Sequence, residues 1–360
     1  MSRAASSPHG RDALETTWRN SVERLTEAST RAAARTQNPR DLEDNRPLFA
    51  GFRSASMLRA LTQLKLLACD PQVPILIEGE SGTGKTLIAR HVHALSCRHA
   101  GPFQHVVLAA LDDALASSEL FGHVSGAFTD ARSSRPGCFV SAHQGTLFLD
   151  EIGKASLAVQ RKLLHSIEHG EIRPLGSDRS VRVDVRIVAA SNVPIADVVT
   201  SGEFLPDLYA RLETFRVELP ALRERRADIP LLVDAFVKAH ARVLGATSRQ
   251  VVVDRPLMRA LQSAPWPNNI RQLHGVVRRL VLEARDEEVI ALEHCRGPLS
   301  WLANNARTQG ALSRERIDRI MAESGNNKSL AARKLGVHRA TLYRALDRGA
   351  NSESAASPRV

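Results

Sequence analysis

Gly79-Glu80-Ser81-Gly82-Thr83-Gly84-Lys85-Thr86 has the pattern G-x-x-x-x-G-K-[ST], and its flanks decide the fold. Before it, Val73-Pro74-Ile75-Leu76-Ile77 is a short apolar, β-branched run of the kind that makes a buried strand. After it, Leu87, Ile88, Val92 and Leu95 recur at helical spacing. Strand, glycine loop and helix together form a phosphate site: the glycines let successive N–H groups turn inward, and the helix N-terminus adds partial positive charge. Lys85 is placed to reach the outer phosphates and the Thr86 hydroxyl to hold Mg²⁺, while Gly79, Glu80, Ser81, Gly82, Thr83 and Gly84 frame the nucleotide.

Downstream, Gly145-Thr146-Leu147-Phe148-Leu149-Asp150-Glu151 is an apolar strand ending in two carboxylates. Asp150 is the expected Mg²⁺ partner, direct or through water, and Glu151 the group that polarises an attacking water. A third strand, Val185 to Ala190, ends in Ser191-Asn192, and Asn192 is expected near the γ-phosphate. All three polar groups fall at carboxyl ends of predicted parallel strands, where open α/β sheets bind ligands.

The chain has 360 residues, room for two or three domains, and a formal net charge of +10 that suits contact with an acidic polymer. Cys69, Cys97, Cys138 and Cys295 are scattered without metal-clip spacing, so free thiols in a reducing compartment are expected. No run approaches a membrane span, and a cytosolic (cytoplasmic) protein without membrane contact is expected. Residues 1–45 are polar, with Leu14, Trp18, Val22 and Leu25 able to line one amphipathic helix but too little apolar material for a sensor domain. Residues 46–244 read as an α/β domain with a mostly parallel sheet, opened by a helix carrying Met57, Leu58, Leu61, Leu64 and Leu67. Residues 245–303 read as a smaller helical unit, 304–310 as a polar linker, 311–348 as a second helical domain and 349–360 as a disordered tail.

Five stretches carry a family resemblance. They are Gly79–Thr86; Glu119 to His123 followed by Gly126-Ala127-Phe128-Thr129-Asp130-Ala131; Gly145–Glu151; Leu219 to Arg225 with Asp228-Ile229-Pro230; and Trp266 to Leu273. These resemble the GESGTGKE, ELFGH…GAFTGA, GTLFLDE, LPPLRER…DIP and WPGNVREL motifs of bacterial enhancer-binding proteins, the AAA+ ATPases that activate sigma-54 RNA polymerase. The resemblance runs from about Pro47 to Leu346. It implies a ring, usually a hexamer, with ATP and Mg²⁺ at subunit interfaces. It makes Arg211 an arginine finger acting in trans and Arg271 a sensor of nucleotide state. It makes the Gly126–Ala131 loop the sigma-54 contact, with Phe128 as its apolar tip.

Residues 311–348 read as three helices: Ser313 caps the first, Ile317, Ile320 and Met321 line it, and Gly325-Asn326-Asn327 ends it. Leu330, Ala331 and Leu335 are expected to face inward on the second, and Gly336 makes the turn to a third. The stretch resembles the Fis-type helix-turn-helix of the same family, which implies that the third helix enters the DNA major groove with His338, Arg339, Thr341 and Arg344 near bases or phosphates.

Thr86 stands where the family often has Glu, a benign change because a hydroxyl there is what most other P-loops use to hold Mg²⁺, and four further positions depart from the family pattern. Asp130 replaces the second Gly of the contact loop, Val107 an Asn that restrains the catalytic Glu, Leu205 a second finger candidate, and Asn268 the Gly of WPGN. The expectation is an ATP-dependent transcription activator that binds an enhancer-like DNA site and remodels sigma-54 closed complexes. With no sensor domain expected in the N-terminal segment, its control falls to expression level, a partner protein or assembly on DNA. Two alternatives stay open: a DNA-binding regulator whose nucleotide site only sets oligomeric state, and an AAA+ ATPase acting on another protein.

Overall fold

The computed structural model describes residues 51–68, 70, 72–128, 131–244, 251–285, 287–304 and 314–335, with Arg339, Leu342, Tyr343 and Leu346 beyond them. The expected N-terminal helix, Cys69, Thr129, Asp130, the linker after 304, Ser313, the turn at Gly336 and the tail lie outside the described residues. Two compact units divide the chain: residues 1–228 with 267–272, and residues 229–266 with 273–360.

The first unit opens with helix α1 (Ala55–Ala68), which buries Met57, Leu61 and Leu64 and leaves Leu58 exposed. Strand β1 (Ile75–Glu78) is fully buried and leads through the glycine loop into α2 (Lys85–Leu95). On α2, Ile88 and Val92 face the core as their spacing predicts, but Leu95 is exposed and His91 and His93 are buried in its place. The chain continues through β2 (Phe103–Val107), α3 (Asp113–Phe121), the short pair β3 (Gly122–His123) and β4 (Arg135–Pro136), and α4 (Cys138–Ser141). Next come β5 (Thr146–Asp150), α5 (Leu157–His169), a second short pair β6 (Glu171–Ile172) and β7 (Val181–Arg182), and β8 (Arg186–Ser191). Helices α6 (Ile195–Thr200) and α7 (Pro206–Leu212) precede the edge strand β9 (Arg216–Glu218).

Strands β2-β5-β8-β1-β9 form one five-stranded sheet, every pairing parallel. Parallel strands covered on both faces read as continuous apolar runs, which is why Ile75-Leu76-Ile77 and Thr146–Leu149 are buried without alternation. Their carboxyl ends bring Glu78, Asp150 and Ser191 to one edge of the sheet. The short pairs β3–β4 and β6–β7 were not legible, since two-residue strands carry no period to detect.

The second unit holds α8 (Ile229–Val243), α9 (Arg255–Ser263) and most of α10 (Asn269–Glu283), whose first turn belongs to the first unit. Leu232, Val237, Leu257, Leu261, Val277 and Leu280 are buried, and Trp266 Nε1 donates to Leu261 O at 2.7 Å. A parallel pair, β10 (Val252–Val253) with β11 (Val289–Ile290), joins this otherwise helical unit. Helices α11 (Arg314–Glu323) and α12 (Lys328–Leu335) pack through Ile317, Ala331, Ala332, Leu335 and Leu342, with Ile320 and Met321 alongside. Leu330, expected inside, is exposed, and Ala332, two positions further on, is buried instead. Gly325 and Asn326 adopt left-handed φ of 57° and 60°, and Asn327 Oδ1 accepts from Ser329 N and Leu330 N, so the predicted break is a stop followed by a cap. Among the described residues no helix is long and apolar enough to cross a membrane.

Candidate nucleotide site

Backbone geometry makes the loop glycines necessary at two positions. Gly79 has φ 152°, and a Cβ there would lie 2.7 Å from Leu219 O; Gly82 has φ 78°, and a Cβ would lie 2.4 Å from Asn268 O. The loop is clamped from outside. The buried Arg225 donates from Nη2 to Thr83 O at 2.6 Å, and burial pulls its pKa down to about 10. Arg223 grips Glu80 through both Nη atoms at 2.8 and 2.6 Å. Asn269, held at φ 51°, donates from Nδ2 to Glu80 Oε2 and Ser81 O and accepts at Oδ1 from Leu222 N. The hydrogen bond from Arg223, then that from Asn269, holds the Glu80 carboxyl down to about 2. Arg271 donates from Nη1 to Ser81 Oγ at 2.9 Å. The LPALRER and WPNN stretches therefore supply the side chains that fix the loop.

Helix α2 begins without a side-chain cap, and Ile88 N–H donates to Gly84 O at 3.0 Å. The N–H groups of Lys85, Thr86 and Leu87 precede that bond, so they form an anion-ready donor set. Lys85 Nζ donates to Gly79 O at 2.6 Å and Glu80 O at 3.1 Å. Burial lowers its pKa, while the charges of Asp150 and Glu151 pull upward. A buried cation with two carboxylates in range, next to an uncapped helix N-terminus, is the chemistry a polyphosphate and its divalent cation require.

At the end of β5, Asp150 Oδ1 accepts the Glu151 N–H at 3.0 Å, and Glu151 itself sits at φ 56°. A non-glycine residue in the left-handed region costs of order 1–3 kcal/mol, and such strain concentrates at functional sites. Sequence reasoning missed His105. It lies on β2, its ring 4.9 Å from that of Phe148, with Nε2 3.5 Å from Asp150 Oδ2. Burial opposes the Asp150 charge, but His105, Lys85 and the Glu151 N–H outweigh it and lower the pKa. The only clue was register: on β2 alternate residues share a face, so His105 and Val107 look the same way. Val107 pairs with Asp150 in the ladder and, being apolar, offers the carboxylates no amide. Asn192 follows β8 directly and is half-buried.

Arg211 stands on α7 with its side chain 60% exposed, its Nε 3.0 Å from Glu168 Oε1 on α5. It is not part of the hydrogen-bond network around Gly79–Thr86. Leu205, at the N-cap of α7, donates its N–H to Gln160 Oε1 and packs against the main core. Of the expected contact loop, Gly126 N donates to Ala131 O at 2.8 Å and Ala131 N to Phe128 O at 2.9 Å. Ala131 is buried and Ala127 half-buried, while Phe128 is 47% exposed with its ring edge-on to His123 at 5.0 Å. Of the expected DNA contacts, Arg339 is exposed and donates to Tyr343 Oη at 3.2 Å; His338, Thr341 and Arg344 lie outside the described residues. A cluster of Glu287, Glu293 and His294 has the spacing of a metal site, but His294 Nδ1 accepts from Ala291 N and Nε2 faces Glu287 at 3.1 Å, so both nitrogens are already engaged.

Residues 51–218 match the model of the sigma-54 interaction domain, 223–310 that of the AAA+ ATPase lid domain, and 310–349 that of the Fis-family bacterial regulatory protein. The anaerobic nitric oxide reductase transcription regulator NorR of Klebsiella pneumoniae is 39% identical over 311 residues, 81% of this chain and 60% of that protein. The transcriptional regulatory protein ZraR of Salmonella typhimurium is 39% identical over 305 residues, 82% of this chain and 67% of that protein. The chain thus spans about three-fifths to two-thirds of the length of these relatives. The crystal structure of NtrX from Brucella abortus in complex with ADP superposes with a TM-score of 0.65 at 29% identity, over 91% of this chain and 75% of that one. Its complex with ATP gives 0.61 at 30% identity, over the same shares. Fold and site define an AAA+ P-loop NTPase with a helical lid and a C-terminal helix-turn-helix domain. The chain belongs to the family of sigma-54-dependent enhancer-binding regulators.

Proposed function

We propose that this protein hydrolyses ATP to activate transcription, binding an enhancer-like DNA site and remodelling sigma-54 RNA polymerase closed complexes in the cytoplasm. The observation that carries the reading is the joining, at one edge of a parallel sheet, of a clamped phosphate loop to a strained Asp150-Glu151 pair. In this account Gly79–Thr86 and Arg271 hold the nucleotide. Lys85 neutralises outer-phosphate charge, and Thr86 and Asp150 would hold Mg²⁺, which screens the phosphates when bound. Glu151 takes the proton of the attacking water, and Asn192 orients that water. Arg211 acts on the neighbouring subunit's γ-phosphate in a ring, most simply a hexamer; its exposure supports a role in trans. The exposed Phe128 supports Gly126–Ala131, with Thr129 and Asp130, as the sigma-54 contact. His338, Arg339, Thr341 and Arg344 are proposed for DNA, within the working layout of 46–244 for the nucleotide domain, 245–303 for the lid and 311–348 for DNA binding.

The apolar Val107 across from Asp150 favours one second reading, a nucleotide-gated DNA-binding regulator without remodelling. ATP turnover separates the two. Steady hydrolysis by the purified chain, lost in Lys85→Ala, supports the enzyme; nucleotide binding without turnover supports the gated regulator.

A further inference from the structure

Glu78 is a buried carboxylate outside the set proposed to hold nucleotide, Mg²⁺ or water. It ends β1, one residue before the phosphate loop, with its side chain 4% exposed. Its Oε1 accepts the Ile195 N–H at 2.7 Å, the first residue of α6 beyond the Ser191-Asn192-Val193-Pro194 loop. Its Oε2 lies 2.6 Å from Arg216 Nε without hydrogen-bond geometry, and among the described residues it has no hydrogen-bond partner. Arg216 opens β9, five residues after Arg211, and α7 reaches it through a single 3₁₀ turn, Glu213–Phe215. The backbone repeats the link: Gly79 N donates to Ser191 O and Leu219 N to Glu78 O.

Burying a carboxylate is costly, and an apolar residue would satisfy a strand buried at all four positions. What the charge adds is a fixed distance between three segments that must be mutually placed: the phosphate loop, the Asn192 loop and the strand that carries the finger helix. We infer that Glu78, through Arg216, is a positioning residue that sets how one subunit presents Arg211 to the nucleotide of its neighbour. This rests on the reading of Arg211 as a finger acting in trans.

The test is turnover in mixed rings. Glu78→Gln keeps the acceptor for Ile195 N–H and removes the ion pair. Its turnover number is expected to fall about ten-fold or more, because small misplacements of a catalytic group are costly, with the ATP KM within about two-fold. Arg216→Gln, at a half-exposed position, should reproduce the loss even if Glu78→Gln folds poorly, and the double variant should lose no more than either. Mixing Glu78→Gln with Glu151→Gln subunits, which keep their fingers but do not turn over, should raise turnover per Glu78→Gln subunit several-fold, and Arg216→Gln should behave likewise. Arg211→Ala mixed with Glu151→Gln is the reference. If Arg211→Ala is rescued and the Glu78 and Arg216 variants are not, the inference fails and the finger reading stands. If none is rescued, the finger reading fails and this inference with it. Unchanged turnover in the homogeneous Glu78→Gln and Arg216→Gln proteins also overturns the inference.

Discussion

Glu151 occupies a backbone conformation that its side chain does not favour, and its neighbour Asp150 accepts its N–H. A glutamine fits the same backbone but cannot take a proton. Glu151→Gln should therefore bind ATP within a few-fold of wild type and lose turnover by about 10²–10⁴-fold, the usual worth of a general base, as single-turnover and nucleotide-binding measurements will show. Arg211→Ala should leave binding nearly intact and cost about 10³-fold or more in turnover. Glu151 stood out in the chain itself, at the end of an apolar strand downstream of the glycine loop, whereas Arg211 was suggested only by the family resemblance. Nothing marked His105. A histidine in a strand has no signature until the register shows that it shares a sheet face with Asp150.

At the scale of elements, α2 shows what periodicity sees and what it misses. Its apolar spacing marked a helix correctly, yet two histidines are buried on it and Leu95 is not. His93 is tolerated because its Nδ1 lies 2.9 Å from Thr146 Oγ1 on β5 and its ring packs against Phe103. Burial first, then the charges of His99, Arg186 and Arg90, holds its pKa down from 6.5 to about 4. The unfolded chain takes up this proton below about pH 6.5, and the folded chain only near pH 4. Stability from the neutral ring is thus fully present above pH 6.5 and is lost as the pH falls to about 4, by roughly 3 kcal/mol in total. Thermal melts between pH 7.5 and 4.5 should show this decline, and His93→Asn should flatten it. Equal slopes for the two proteins would remove His93 as the cause. Within 245–303 the helical reading matches α9 and α10 and missed β10 and β11, whose two-residue length leaves no pattern to find, while α8 precedes that range.

For the whole molecule, the formal charge of +10 and the Fis-type domain point to a polyanion. Duplex DNA binding should weaken steeply with salt. Arg339→Ala should make the slope of log K against log salt shallower by about one if that exposed guanidinium meets a phosphate, as filter or anisotropy titrations will show. The order of functions along the chain was legible because each rests on a local motif. The LPALRER and WPNN stretches were legible only as motifs. That their side chains meet on Glu80, Ser81 and Thr83 is a tertiary fact that no local pattern carries.

The proposed function couples ATP turnover to sigma-54. The most direct measurement is open-complex formation at a sigma-54 promoter bearing the enhancer site, with purified polymerase and ATP, comparing wild type, Glu151→Gln and Asp130→Gly. Wild type should open the promoter, Glu151→Gln should not, and Asp130→Gly should do so at least as well as wild type. ATP turnover by the wild type and by Asp130→Gly with no promoter opening by either would contradict that coupling.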